Sequence, residues 1–204
     1  APLAALATAA PFGLGSRVIV TGPARSGRSE LLRQIGAAIA AADGLEVELL
    51  AVGVRPEELS AWKDVPHATA SGLTFAASAD AQEAAIEQAA ERGRRIAVRG
   101  GNAVLLIDTL DGIGAPAARR TMAAARNLRT AGSLTVIATA RAPLGGETTV
   151  IALAGGGDPF TLDPELTGTL RADLLAAPPK PKATRVRKPR TPKAASGEEE
   201  AAEA

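Results

Sequence analysis

Eight residues, Gly22-Pro23-Ala24-Arg25-Ser26-Gly27-Arg28-Ser29, have the spacing of a phosphate-binding loop, G-x-x-x-x-G-K-S/T, with arginine at the lysine position. Its glycines allow backbone N–H groups to converge on phosphate oxygens, and a helix starting directly after the loop would add the positive end of its dipole. Ser29 is placed to offer a hydroxyl to Mg²⁺. A carboxylate suited to the rest of that metal shell is Asp108, which ends the apolar run AVLLID as a Walker-B residue would. Residues 22–29 and Asp108 are therefore the candidate nucleotide site. Ser29 and Asp108 are the candidate Mg²⁺ ligands.

This chemistry needs a strand before the loop and a helix after it. RVIVTG (17–22) is a short apolar run entering the loop, and 29–43 places Leu31, Leu32, Ile35, Ile39 and Ala42 at helical spacing. VELLAVGV (47–54) reads as a second buried strand, followed by a helical turn that Pro56 starts. Residues 78–95 read as a solvent-facing helix with a Ser or Asp cap, and 103–108 as a buried strand. A helix over 116–132, stopped by Gly132, precedes a strand at 133–140. Beyond it, 147–155 reads as an edge strand and FTLD (160–163) as a short one. Strands alternating with helices predict an α/β fold, a mainly parallel sheet with helices on both faces. No internal repeat is visible.

Composition narrows the chemistry further. Among 204 residues there is no cysteine, which excludes disulfides, thiolate zinc sites and iron–sulfur clusters, and a single histidine, His67, which excludes a multi-histidine metal centre. Aromatic residues make up 2%, with no Tyr, so RNA recognition through stacked rings is nearly excluded. No apolar run reaches the roughly 18 residues that span a bilayer, so no membrane association is expected. The opening APLAALATAAP lacks the basic start of a signal peptide, and a cytoplasmic setting is compatible. Residues 178–204 hold 7 basic and 4 acidic residues, are rich in Pro and poor in apolar side chains, and read as a disordered tail. Its basic stretch, 180–193, has the charge to touch RNA phosphates or an acidic protein, and equally to serve as a solvated tail. The division expected is a lead segment at 1–10, a nucleotide-binding domain at 11–177 and the tail at 178–204.

Several further blocks resemble one family. The loop and its flanks, Arg55-Pro56-Glu57-Glu58, Leu73-Thr74-Phe75, VLLIDTL, and above all Ala124-Ala125-Arg126-Asn127-Leu128 leading into GSLTVIATA (132–140), look like the ATPase domain of bacterial transcription termination factor Rho. The resemblance covers roughly 11–175 in the same order. It implies a RecA-like P-loop NTPase fold, ATP with Mg²⁺ as ligands, RNA as a partner and a ring of Rho-like subunits. It also implies that Arg25, Gly27, Arg28 and Ser29 hold phosphates and Mg²⁺, with Asp108 completing the metal shell. It begins near residue 11, so no counterpart of the family's preceding RNA-binding module is expected in these residues.

Departures from the family pattern concentrate on hydrolysis. Where the family has Asp-Glu before Arg-Pro-Glu-Glu, its glutamate orienting the attacking water, this chain reads Gly53-Val54. Arg25 and Arg28 replace two loop lysines, and a planar guanidinium is no close substitute for an ammonium. The family's Arg-Ser-Gly-Thr-Arg segment, which reads a neighbour's nucleotide, corresponds to Leu166-Thr167-Gly168-Thr169-Leu170, with leucine at both arginine positions. The two loops that reach RNA in the ring's pore are short. Impaired or absent hydrolysis is expected, with a non-catalytic interaction domain as the alternative. The remaining candidates read as structural: His67 as an exposed loop residue, Glu57 and Glu58 as helix N-terminal charges, Trp62 as the cap of a hydrophobic cluster, and Asp111 as a loop acid or helix cap.

Overall fold

In a parallel sheet covered on both faces a strand residue is buried whichever way it points, so its strands are continuous apolar runs. The computed structural model, which describes residues 2–63, 65–66, 68–155 and 160–175, has this architecture. Its elements in chain order are α1 (Pro2–Ala9), β1 (Arg17–Thr21), α2 (Arg28–Ala40), β2 (Leu45–Val54), α3 (Pro56–Lys63), β3 (Ala68–Thr74), α4 (Ala79–Val98), β4 (Asn102–Asp108), α5 (Ala115–Ala123), β5 (Arg126–Asn127), β6 (Ser133–Thr139), β7 (Thr149–Ala152) and β8 (Gly168–Thr169). The sheet runs β3-β2-β4-β6-β1-β7-β8, with β5 paired to β6 beside that path. All neighbours pair in parallel except β5 with β6 and β7 with β8. The four strands that the apolar runs predict are thus parallel, and the fold is RecA-like.

Side-chain alternation divides the core into two layers. Val104 and Leu106 of β4 join Val18, Val20, Leu49 and Ile137 on one face, under Leu31, Leu32 and Ile35 of α2 and Trp62 of α3. Ala103, Leu105 and Ile107 join Ile19, Leu50 and Val136 on the other, under Ile86, Ala89 and Ala90 of α4 and Met122 of α5. Burying each of the larger aliphatic side chains contributes about 1.5–3 kcal/mol, which is how a core with so few aromatics holds. Leu6 and Ala10, from the lead segment, belong to the first layer. Trp62 is a buried member of that layer, 3% exposed, and does not cap it from outside.

Several elements differ from the sequence reading. The helix expected over 116–132 ends at Ala123, and Arg126–Asn127 turns back as a strand. The reason is tertiary: β1 begins opposite Val136, so Ser133 and Leu134 at the start of β6 lack a partner on that side, and β5 supplies it. Gly132 lies in the tight turn that follows, where a β-carbon would come within 1.7 Å of the Gly101 carbonyl oxygen. Next, β7 is interior, hydrogen-bonded to β1 on one side and β8 on the other; of FTLD only Leu162 bridges, to Leu153. Finally, α4 is not merely solvent-facing, because Gly93 in its buried stripe admits Leu134, whose Cδ1 would be 2.6 Å from a β-carbon there. His67 and the tail at 178–204 lie outside the described residues.

Candidate functional site

The loop 22–29 leaves β1 and enters α2, and backbone geometry dictates its glycines. Gly22 has φ 148°, and a β-carbon there would lie 2.7 Å from Ser26 Oγ and 2.8 Å from the Leu153 carbonyl oxygen. Gly27 caps α2 in the left-handed region at φ 88°, where L side chains are strained, and the Phe160 ring packs so close that a β-carbon would be 2.5 Å from it. Gly27 has no side chain with which to cap α2, so among the described residues the first N–H groups of the helix have no side-chain acceptor at the cap. Arg25 also has positive φ, 65°. Ser26 is 3% exposed and its hydroxyl has no hydrogen-bond partner among the described residues. A buried, unpaired hydroxyl is costly unless something binds it.

Asp108 stands at the carboxyl end of β4, beside β6, where Ile107 is level with Ala138. It is 4% exposed and accepts a hydrogen bond from Thr139 Oγ1 at 2.6 Å. Burial pushes its carboxyl pKa up; the Thr139 and Ser29 hydroxyls and the Arg28 charge pull it back, while Glu58 adds to the rise. Both candidate metal ligands, Ser29 and Asp108, are therefore neighbours. Thr139 is a site residue the sequence reading missed, although it lies within the quoted GSLTVIATA block. Only the register of β4 against β6 brings it to Asp108.

Next to this pair Arg28 Nη1 donates to Asp111 Oδ2 at 3.1 Å. Asp111 Oδ1 accepts from the backbone N–H of Arg141 at 2.8 Å, and Arg141 Nε lies 3.8 Å from Oδ2. The backbone N–H of Asp111 donates to Thr109 Oγ1 at 3.3 Å, and that hydroxyl donates to the Thr139 carbonyl at 3.0 Å. Asp111 is thus neither a loop acid nor the cap: it lies within the single 3-10 turn Leu110–Gly112, which Thr109 caps.

The positions that the resemblance aligns with the water-orienting glutamate and the interface arginines hold apolar side chains. Val54 ends β2, is 6% exposed and packs in the same layer as Trp62 and Val65. Beside it Gly53 has φ 70°, and a β-carbon there would be 3.0 Å from Gln82 Oε1. Gln82 is buried, donates to the Ala77 carbonyl at 2.8 Å, and its Oε1 has no partner among the described residues. Leu166 and Leu170 are 66% and 71% exposed, far too open to be core residues. Glu58 accepts from the backbone N–H of Arg55 at 3.3 Å, the helix-start role read from sequence.

An apolar cavity of about 260 Å³ is lined by Ala5, Leu6, Leu31, Leu153, Leu162 and Phe160, the residue whose ring packs on Gly27 of the loop. Phe160 is a second site residue that spacing did not reveal, because it lies far along the chain from Gly27 and meets it only in the fold.

Comparison with known proteins finds transcription termination factor Rho repeatedly. The Streptosporangium roseum protein is 33% identical over 154 residues, 64% of this chain and 40% of that protein. The Mycobacterium leprae protein is 30% identical over 159 residues, 66% and 26%, and that of Akkermansia muciniphila 32% over 152 residues, 63% and 32%. The chain spans less than half the length of these relatives. No family model matches it. Among solved structures, an ATPase from the type III secretion system of pathogenic bacteria superposes with a TM-score of 0.66 at 18% identity, over 81% of this chain and 60% of that one, which shows the shared fold.

Proposed function

We propose that this chain, a divergent and shortened relative of the ATPase domain of transcription termination factor Rho, binds ATP or ADP with Mg²⁺ at residues 22–29 and Asp108 and does not hydrolyse ATP on its own. The observation that carries this reading is the contrast between two ends of one site. At the phosphate end, the Ser26 hydroxyl is buried without a partner among the described residues, and Ser29 sits beside a buried Asp108 carboxyl group. At the water end, Val54 is packed into the core.

The donor set fits the ligand. Oxygen donors suit Mg²⁺, which keeps water and substrate phosphates in its shell. Among the described residues no group of three or more His, Asp or Glu converges on a metal-sized site, so a cation here would take its remaining oxygens from phosphate and water. Gly22, Pro23, Ala24, Arg25, Ser26, Gly27, Arg28 and Ser29 would hold the phosphates by backbone N–H groups and the arginine charges. The cavity against Phe160 offers apolar surface to the rest of a nucleotide. Bound Mg²⁺ would neutralise phosphate charge; what these residues lack is a base for water. Phosphoryl transfer depends on positioning and electrostatic stabilisation, so losing the water-orienting group and the neighbour's cation leaves little to drive it.

In this reading residues 11–177 form the nucleotide-binding unit, RNA contact is made by the charges of 180–193, Rho-like subunits are the oligomeric partners, and the setting is cytoplasmic. Among the described residues no helix is long and apolar enough to cross a membrane. The exposure of Leu166 and Leu170 supports a second reading, a non-catalytic interaction domain that docks through this apolar surface. Melting with and without MgADP, paired with phosphate release from MgATP with and without RNA, separates the two. A nucleotide-dependent rise in Tm without turnover supports the first; no rise at millimolar nucleotide supports the second; RNA-stimulated turnover overturns the loss of hydrolysis.

A further inference from the structure

We infer that Asp111 sets the phosphate preference of the site by latching Arg28, so that a nucleotide's terminal phosphate must compete with a resident carboxylate. This rests on the nucleotide reading above. The latch is built in, because Asp111 is fastened from three directions. Its N–H is held by Thr109, its Oδ1 by the Arg141 backbone N–H at 2.8 Å, and its Oδ2 by Arg28 Nη1 at 3.1 Å. Thr109 is in turn tied to β6 through the Thr139 carbonyl. The Arg28 and Asp111 side chains are 17% and 21% exposed, so the pair is partly shielded from solvent screening.

Reach explains why arginine matters here. At this position in a phosphate loop the basic side chain serves the β- and γ-phosphates. A guanidinium presents five N–H donors in a rigid fork, enough to meet a carboxylate with one nitrogen while keeping others in the pocket. An anion at the β-phosphate meets the backbone N–H groups of the loop whatever Arg28 does. An anion at the γ position gains most from the guanidinium and is the one that Asp111 opposes, by charge and by occupying a donor. Wild-type protein therefore discriminates little in favour of ATP over ADP, and removing the Asp111 charge releases that discrimination. Asp111 acts through Arg28 and is a positioning residue.

The test is calorimetric titration of MgATP and MgADP into the full chain carrying Asp111→Asn or Asp111→Glu, beside wild type. In Asp111→Asn the ratio of ATP to ADP affinity is expected to rise by about 2- to 5-fold, the range of an ion pair of this exposure, while Asp111→Glu keeps a ratio close to wild type. A merely structural role would move both affinities together. An unchanged ratio in Asp111→Asn, or an equal rise in Asp111→Glu, overturns the inference. The latch also has a readout without nucleotide: restricted rotation of the Arg28 guanidinium in nitrogen-15 NMR, assigned by its loss in Arg28→Lys. It is expected in wild type and absent in Asp111→Asn. If rotation is free in wild type, the latch does not exist. If rotation is restricted but neither nucleotide binds any of the proteins, the nucleotide reading fails and the phosphate preference with it, leaving an ion pair only.

Discussion

Replacing Asp108 with Asn separates what this side chain does for a metal from what it costs the fold. The carboxylate is 4% exposed, and burial raises its pKa above the ordinary range. An amide keeps an oxygen to accept from Thr139 Oγ1, at 2.6 Å in the wild type, and removes the buried charge. Relieving functional strain of this kind commonly adds about 0.5–2 kcal/mol, and for a chain of this size each kcal/mol moves Tm by about 2–4 °C. Asp108→Asn is therefore expected to melt above wild type without nucleotide, by roughly 1–8 °C. With MgADP at ~100 times its Kd, wild type should gain about 2.7 kcal/mol and the variant much less, which reverses the order. The pH dependence has a definite sign. Because the folded pKa lies above the unfolded one, the folded wild type binds the proton first as pH falls. The stability withheld at neutral pH is restored through that window, and the gap to Asp108→Asn closes on acidification. Scanning calorimetry of both proteins from neutral pH into the acid range, with and without MgADP, reads all three effects. A variant that melts below wild type at neutral pH, or a gap that widens in acid, refutes the buried-charge argument. Equal MgADP gains refute a metal role for Asp108.

Val54→Glu puts a carboxylate where a 6%-exposed valine packs; it is expected to lower stability by about 2–4 kcal/mol in urea unfolding and to leave phosphate release at background, so measurable turnover would contradict the compounded losses. Gly132→Ala would bring a β-carbon within 1.7 Å of the Gly101 carbonyl oxygen, and a loss of about 1–3 kcal/mol or more is expected in the same assay; an unchanged midpoint would show that this turn relaxes freely. Truncation after Ala177 is expected to abolish binding to single-stranded RNA, which in the full chain should weaken with salt by about −0.7 in log–log slope per phosphate neutralised; undiminished binding by residues 1–177 would place the contact elsewhere.

The parallel core was legible because buried strands announce themselves as apolar runs, as VLLID and LTVIATA do, and the loop because its glycines and Ser29 are spaced by geometry that only backbone can satisfy. Element boundaries failed where tertiary pairing overrode local propensity. Ala-rich 116–132 favours a helix throughout, yet the free edge of β6 opposite Ser133 and Leu134 draws Arg126 and Asn127 into a strand. The strand Ala68–Thr74 went unread because it is half exposed and carries Ser and Gly, which mute both hydropathy and alternation. Of the site, the sequence shows residues that act through the backbone or end a strand. Thr139, Asp111, Arg141 and Gln82 join it only through register and loop packing, which no spacing along the chain encodes. Gln82 illustrates the limit: its carboxamide lies beside Gly53, so the glycine read as a lost acid is also the residue that leaves room for it.

Equilibrium dialysis of the full chain against α-labelled ATP with Mg²⁺, followed by separation of the nucleotides on the protein side, tests binding and hydrolysis together. The account predicts label enriched with the protein and recovered as ATP. No enrichment at millimolar ATP, or conversion to ADP approaching about one turnover per second, would contradict it.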